Sequence, residues 1–337
     1  MHPFVRNLIT EWRRLELPFK GEAIVVAVSG GADSMSLLLA IDDLRKRKKL
    51  DLRIVAAHFD HKIRPDSNAD LEFVADFARS HGLEMSHGEW KREAGGNLEQ
   101  NARNARYDFL KSTAASVNSG YVLTAHTMND QAETFLMNLI RGAGPDGLSG
   151  MKPKRQITTE MADDEPFLPF ADPGITVVRP LLRWAKRRDT ENLCLEHDID
   201  FRRDPMNEDL NFRRIWVRKV LIPMMEEANP KIVESLCRTA ELMKGEHPPI
   251  AEPLPETGSS LDLKHIRSLD KSDLFPILRD WLKLNRGSLR GIGTKHVESI
   301  YNLINSQKSG RVAELPGGKA VKHDGRLSWR PQRAEKG

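Results

Sequence analysis

The chain has 337 residues, a net charge of +4 and a pI near 9.0, with 39% hydrophobic and 30% charged residues. That balance describes a soluble globular chain long enough for two domains, with no apolar run able to span a bilayer. Its cysteines, Cys194 and Cys237, lie far apart and outside any Cys-x-x-Cys spacing, so neither a disulfide framework nor a zinc site is indicated. Residues 1–6 carry no signal-peptide core, so a reducing cytoplasm is the expected location. Mild basicity permits a nucleic-acid partner without requiring one.

In chain order, residues 3–15 predict a short amphipathic helix. Ala-Ile-Val-Val-Ala-Val at 23–28 reads as a strand buried on both faces, as in the middle of a parallel sheet. Ser29-Gly30-Gly31-Ala32-Asp33-Ser34 follows, with two glycines for a tight turn, and a leucine-rich helix runs to about Lys49. Such a corner turns free N–H groups and the positive end of a helix dipole toward an anion. No Walker run with its Gly-Lys-Ser/Thr occurs, and no dinucleotide fingerprint follows this strand. An ordinary strand–turn–helix corner is the structural alternative. The six residues resemble the pyrophosphate loop (PP-loop) of the N-type ATP pyrophosphatases, which split ATP between the α- and β-phosphates. The basic run at 45–49 reads as a solvated helix C-terminus.

A second strand at 52–58 ends in His58-Phe59-Asp60-His61, where ligands of open α/β sheets gather. The two histidines have no third zinc ligand nearby in sequence. A helix at 67–81 and a third strand at 83–90 precede a helix at 97–117, which places Arg103 and Arg106 on one face. That spacing fits two phosphate-binding cations and equally a surface salt-bridge face. The fourth strand, 121–125, runs into His126-Thr127-Met128-Asn129-Asp130-Gln131-Ala132-Glu133. Asn129 or Asp130 can cap the helix that opens there. Capping does not account for Asp130 with Glu133 at i, i+3, and carboxylates beside a triphosphate point to Mg²⁺ held jointly with the phosphates. The literal Gly-x-Gly-x-x-Gly at 142–147 ends a helix and contains Pro145, so it is a loop rather than a fingerprint. Residues 152–174 read as an irregular excursion, 177–182 as a fifth strand and 184–197 as a helix. The alternation makes the fold class α/β, a doubly wound parallel sheet of about five strands.

Residues 211–219 start a helix with Arg214 and Arg218 at i, i+4. Arginines beside aromatics can hold an RNA backbone and stack a base. Phe212, Trp216 and Val220 buried on one stripe would make it a domain-joining helix, and the two roles can coexist on opposite faces. The Pro-rich stretch 246–260 is a linker, and 261–306 a small helical module that ends in a hairpin. The expected domains are 1–210, a PP-loop ATP-pyrophosphatase domain, and 211–337, smaller, mainly helical and substrate-binding.

Taken together, Ser-Gly-Gly-Ala-Asp-Ser, His-Phe-Asp-His-Lys-Ile-Arg-Pro-Asp-Ser, Ala-Arg-Asn-Ala-Arg-Tyr and His-Thr-Met-Asn-Asp-Gln-Ala-Glu-Thr resemble the tRNA(Ile)-lysidine synthase family. Arg-Gly-Ala-Gly-Pro-Asp-Gly-Leu, Arg-Pro-Leu-Leu, Asp-Pro-Met-Asn and Leu-Pro-Gly-Gly extend the resemblance, in the family's order, to about residue 320. The resemblance implies a ligase that attaches L-lysine to C2 of the wobble cytidine of tRNA(Ile) with a CAU anticodon, through an adenylated cytidine. ATP would lie on Ser29, Gly30, Gly31, Ala32, Asp33 and Ser34, with His58, and Mg²⁺ near Asp33, Asp130 or Glu133. Asp33, Asp60, Asp130, Glu133, Arg103 and Arg106 would be catalytic, with Asp60 or Glu133 holding the amine. Arg141, Arg179, Asp204, Asn207, Arg214 and Arg218 would contact substrate or tRNA. It implies no membrane, admits a homodimer and implies a short form without the further C-terminal domain of longer members. The sequence departs from the family pattern at Thr127 and Asn129, where His and Asp are usual. It departs again at Ile215 and Trp216, where Asn and Arg are usual, and in the Asp204-Pro205-Met206-Asn207 run. A PP-loop thiolase generally needs more cysteines than two, and a non-catalytic tRNA binder would not need the intact loop and carboxylates.

Overall fold

The computed structural model describes residues 1–62, 67–90, 98–156, 175–202, 209–210, 212–244, 260–267, 269, 271–287, 289, 291–306 and 310–331. In chain order the elements are α1 (Pro3–Arg14), β1 (Lys20–Ala27), α2 (Ala32–Lys46), β2 (Asp51–Asp60), α3 (Ser67–Ser80), β3 (Glu84–Glu89), α4 (Leu98–Ser116) and β4 (Tyr121–Leu123). There follow α5 (Met128–Ile140), α6 (Pro145–Leu148), β5 (Lys154–Gln156), β6 (Thr176–Val178), α7 (Arg187–Glu196), α8 (Arg213–Trp216), α9 (Ile222–Ala228) and α10 (Ile232–Leu242). The last are β7 (Ser260–Asp262), α11 (Leu263–Ile266), α12 (Lys271–Arg286), α13 (Thr294–Asn305), β8 (Val312–Leu315), β9 (Gly318–His323) and β10 (Arg326–Pro331).

The described residues form two compact units. One draws on Met1–Met137, Ser149–Thr159 and Pro166–Ala240, the other on Asn138–Leu148 and Glu241–Gly337. The expected boundary at 210/211 falls inside the first unit, because 212–240 pack with the sheet domain. Nearly all of the expected linker lies outside the described residues.

The first unit is built on a six-stranded sheet in the order β3-β2-β1-β4-β6-β5. β1 pairs in parallel with β2 and β4, and Ile24, Val25 and Val26 are fully buried. The pleat divides them: Ile24 and Val26 join the layer of α1, α2 and α7, while Val25 faces Tyr107, Leu110 and Ala114 of α4. Apolar residues on both pleat faces therefore bury β1 between two helical layers. The sheet has six strands rather than five. The extra one, β5, pairs antiparallel with β6 inside the stretch read from sequence as irregular. Lys154-Arg155-Gln156 is polar, as edge strands often are, so no hydrophobic period marks it.

The second unit contains α11, α12, α13 and a four-stranded antiparallel sheet, β7-β10-β9-β8, where the sequence predicts a hairpin beside helices. Asp324 and Gly325, with φ of 48° and 72°, make the two-residue β9–β10 turn. Trp281, Leu278, Ile300, Ile304 and Leu327 lie at its core.

Candidate active site

The strand order reverses beside β1. The chain steps outward from β1 to β2 and β3, then returns to β4 on the other side. Ligands of open α/β sheets bind outside the strand ends at such a switch point. Here the loops after β1, β2 and β4 line a cavity of about 690 Å³, with Ser29, Asp33, His58, Asp60, Arg106, Asp130, Arg187 and Arg218 in its wall.

The loop after β1 is wound tightly. Gly30 has φ +84°, a left-handed conformation that favours glycine. The Ser34 hydroxyl donates to the Gly31 carbonyl at 3.0 Å and accepts from the Ser29 N–H at 3.1 Å. Gly31 is the N-cap of α2 and makes no side-chain cap bond, so the first-turn N–H groups stay open to an anion. Arg202, which the sequence did not single out, closes the loop from outside. Its N–H donates to the Gly30 carbonyl at 2.9 Å and its side chain packs against Gly30. The guanidinium in turn donates to the Ala69 carbonyl at 3.2 Å and lies over Phe73.

The loop after β4 supplies the carboxylates. Thr127 is the N-cap of α5, and its N–H and hydroxyl both donate to Asp130 Oδ2, at 2.8 and 2.9 Å. One oxygen of Asp130 therefore caps the helix, as the spacing allowed. Its other oxygen faces Arg187 at 3.4 Å, Arg214 at 3.5 Å and Arg218 at 3.9 Å. Burial acts to raise the Asp130 pKa, but Arg214, Arg187 and the Thr127 bonds outweigh it and hold the carboxyl below its usual range.

Glu133 is fully buried and does not line the cavity. It accepts from Arg218 Nε at 2.7 Å, Arg214 Nε at 2.9 Å and Arg218 Nη2 at 3.0 Å. Glu133 thus positions arginines rather than offering a free carboxylate to a metal or an amine. Arg214 is likewise turned inward to Glu133 and Asp130, and only Arg218 of the pair reaches the cavity wall. Arg218 sits on a π-helical turn, Val217–Leu221, between α8 and α9. Such turns are frequent at functional sites.

Asp33, on the first turn of α2, faces this cluster. The Thr190 hydroxyl donates to its Oδ1 at 2.5 Å, and Arg187 lies 3.8 Å from Oδ2. Burial, then the Asp130 charge, push the Asp33 pKa up to about 6 against the opposing pull of Arg187 and Thr190. Arg187 and Thr190 were not read from the sequence as site residues. Their only sequence signal is the position of α7 after the fifth expected strand, which does not tell which helical residues face the crevice. Asn129 now has a role as well: its Oδ1 accepts from the Arg187 N–H at 3.0 Å, pinning the first turn of α7.

The remaining expected residues divide. His58 is buried, and Nδ1 donates to the Val28 carbonyl at 2.9 Å; burial lowers its pKa, leaving a neutral ring with Nε2 as acceptor. Asp60 is buried and already engaged by the chain's own lysine, accepting from the Lys62 N–H at 2.7 Å and lying 3.0 Å from Lys62 Nζ. Arg106 lines the cavity 5.3 Å from the Tyr107 ring centre, whereas Arg103, on the same ring, does not line it. Arg179 is 1% exposed and donates to the Lys152 carbonyl at 2.7 Å, a buried structural bond rather than a surface for substrate. Arg141 belongs to the second unit, where it contacts Asn138 at 3.5 Å. Asp204 and Asn207 lie outside the described residues. Phe212 and Trp216 are 44% and 41% exposed, so the buried aromatic stripe expected of a joining helix does not form; Ile215, Val217 and Ile222 are buried instead.

The profile of the PP-loop domain matches residues 5–225, well over half of the chain. The chain is therefore a PP-loop protein, of the class that binds ATP in the loop after the first strand. The solved U34-tRNA thiolase NcsA from Methanococcus maripaludis, with its 4Fe–4S cluster, shares the fold: TM-score 0.57, 14% identity, covering 72% of this chain and 80% of that one. Among curated relatives, tRNA(Ile)-lysidine synthase of Thermotoga sp. strain RQ2 is 37% identical over 226 residues, 65% of this chain but 49% of that protein. The proteins of the same name from Thermosynechococcus vestitus and Synechocystis sp. are 30% and 31% identical over 91% of this chain, and the matches cover 85% and 91% of them. The chain thus spans about half of the Thermotoga protein and most of the Thermosynechococcus and Synechocystis ones. It belongs to the tRNA(Ile)-lysidine synthase family. No helix among the described residues is long and apolar enough to cross a membrane.

Proposed function

We propose that this chain joins L-lysine to C2 of the wobble cytidine of a CAU-anticodon tRNA(Ile), converting ATP to AMP and pyrophosphate. The observation that carries the reading is the meeting, in one cavity, of an open helix N-terminus after β1 and an arginine–carboxylate cluster after β4. The base O2 attacks the α-phosphorus and pyrophosphate leaves; the lysine amine then attacks C2, AMP departs, and the amine gives up its proton. The N–H groups of Gly31–Ser34 hold phosphate, while Arg218 and Arg106 offset charge on the departing groups. His58 Nε2 is placed as an acceptor in the same wall. Asp33 and Asp130 reach the cavity from the two loops nearest the phosphate site and would take up the amine and its proton.

Mg²⁺ belongs to the same proposal. No cluster of three His, Cys, Asp or Glu suited to a metal exists among the described residues. Mg²⁺ bound through one or two carboxylates plus substrate phosphates needs no such cluster. Asp33, on the first turn of α2 beside the phosphate loop, fits that mode, and Glu133, saturated by arginine, does not. A bound Mg²⁺ would neutralise charge on the leaving pyrophosphate.

The exposed aromatics Phe212 and Trp216, flanked by exposed Arg213 and Lys219, suit unpaired bases. Exposed Arg311, Lys319, Arg326 and Arg330 of the second unit suit phosphates of the same RNA. The test is mass analysis of the wobble nucleoside after purified protein is incubated with ATP, lysine and the tRNA. Lysidine is expected, and an unmodified cytidine with no AMP formed defeats the reading.

A further inference from the structure

Among the three arginines of the cluster, one is held differently. Arg214 and Arg218 meet Glu133 at 2.7–3.0 Å, with well-formed charge-assisted bonds. Arg187 donates to Glu133 Oε1 at 3.3 Å and Asp130 Oδ1 at 3.4 Å and lies 3.8 Å from Asp33 Oδ2, all longer and weaker contacts than those of Arg214 and Arg218. Glu133 is already satisfied without it. The Arg187 backbone, by contrast, is pinned: its N–H donates to Asn129 Oδ1 at 3.0 Å. A fixed backbone with a guanidinium held only by long contacts, its side chain 24% exposed in the cavity wall, makes Arg187 the member of the cluster most readily displaced.

The place it fills is a cation site. Asp33 Oδ2 and Asp130 Oδ1 converge on the Arg187 guanidinium from two loops. An amine that must approach a nucleotide on the PP-loop meets the same two carboxylates. Both cations cannot sit there together.

We propose that Arg187 is an exchangeable cation: its guanidinium occupies the Asp33–Asp130 site until the primary amine of the substrate takes that place, and then turns to the nucleotide phosphates. This rests on the proposed function for the identity of the amine as lysine. It makes Arg187 a specificity and ordering residue as well as a phosphate contact. A ligand that draws Arg187 toward phosphate must open the amine site, and by linkage the amine must favour that ligand equally.

Two measurements test it, neither of which needs the tRNA. In wild-type protein, L-lysine binding is measured by isotope-edited NMR with and without a non-hydrolysable α,β-methylene ATP analogue. The analogue should tighten lysine binding by about threefold to tenfold, the range for a site blocked most of the time. In Arg187→Ala, lysine should bind tighter by a similar factor without the analogue, and the analogue should add nothing. With tRNA present, the same variant should show a lower KM for lysine with kcat reduced by about 100-fold, and Arg187→Lys should recover part of kcat. Wild-type affinity for lysine indifferent to the analogue overturns the proposal, as does unchanged or weaker lysine binding in Arg187→Ala, or no lysine binding by either protein. A merely structural arginine would raise KM rather than lower it. Coupled binding with no modified nucleoside would defeat the proposed function and leave the exchange standing.

Discussion

Replacing Glu133 by Gln should destabilise the first unit by about 2–3 kcal/mol. The side chain is fully buried and takes three bonds of 3.0 Å or less from two guanidiniums. Gln keeps the shape but removes the charge and points an NH₂ at a donor. Three arginines are then left with Asp130 and Asp33 alone. Breaking a fully buried ion pair costs about 3–5 kcal/mol. Arg214 and Arg218 are 36% and 23% exposed, so water recovers part of that loss, which sets the lower figure. For a unit of this size the change lowers the melting temperature by about 4–12 °C. Thermal melts followed by circular dichroism at pH 7 measure it. A cycle with Arg218→Met separates the pair from its surroundings, and the double variant should be less destabilised than the two singles added, by at least about 1 kcal/mol. A variant that melts within about 0.5 kcal/mol of wild type, or an additive cycle, would refute the view that Glu133 exists to hold arginines.

Asp33 makes stability depend on pH. Its pKa of about 6 lies above the ordinary 3.8, so between those values the folded chain keeps a proton that the unfolded chain has released, and stability falls as pH rises. Asp33→Asn should abolish that slope in urea unfolding and be the more stable above pH 6 by up to about 3 kcal/mol, while ending AMP formation; an unaltered slope would contradict the assignment. Gly88→Ala should cost about 1–3 kcal/mol, because a Cβ there falls 2.5 Å from Phe109 Cδ2. Phe109→Leu should recover part of that loss, and a neutral Gly88→Ala would show that β3 has room to shift. Trp216→Ala should unfold within about 0.5 kcal/mol of wild type, as an exposed residue does, yet bind tRNA more weakly by about 1–3 kcal/mol. Unchanged affinity in filter binding would remove Trp216 from the RNA surface.

What the sequence determined by itself was the chemistry that is local along the chain. Ile24, Val25 and Val26 are apolar on both pleat faces, so a central parallel strand followed from composition. The Gly30–Gly31 turn and the α2 start lie within a few residues, and the anion site they make needs no distant partner. The pairing of Asp130 with the crevice was legible for the same reason. What tertiary structure decided was the electrostatic state of those groups. Glu133 and Asp130 look like an open metal pair in sequence; residues 81 and 85 positions further on, Arg214 and Arg218, close one of them. Arg187, Thr190 and Arg202 could not be picked from charge or spacing, since neither tells which residues of α7 or of the stretch after it face the crevice. Lys154–Gln156 joined the sheet only because β6 offered an edge. Charge on a buried site is a sum over neighbours brought together by folding, and no window along the chain contains that sum.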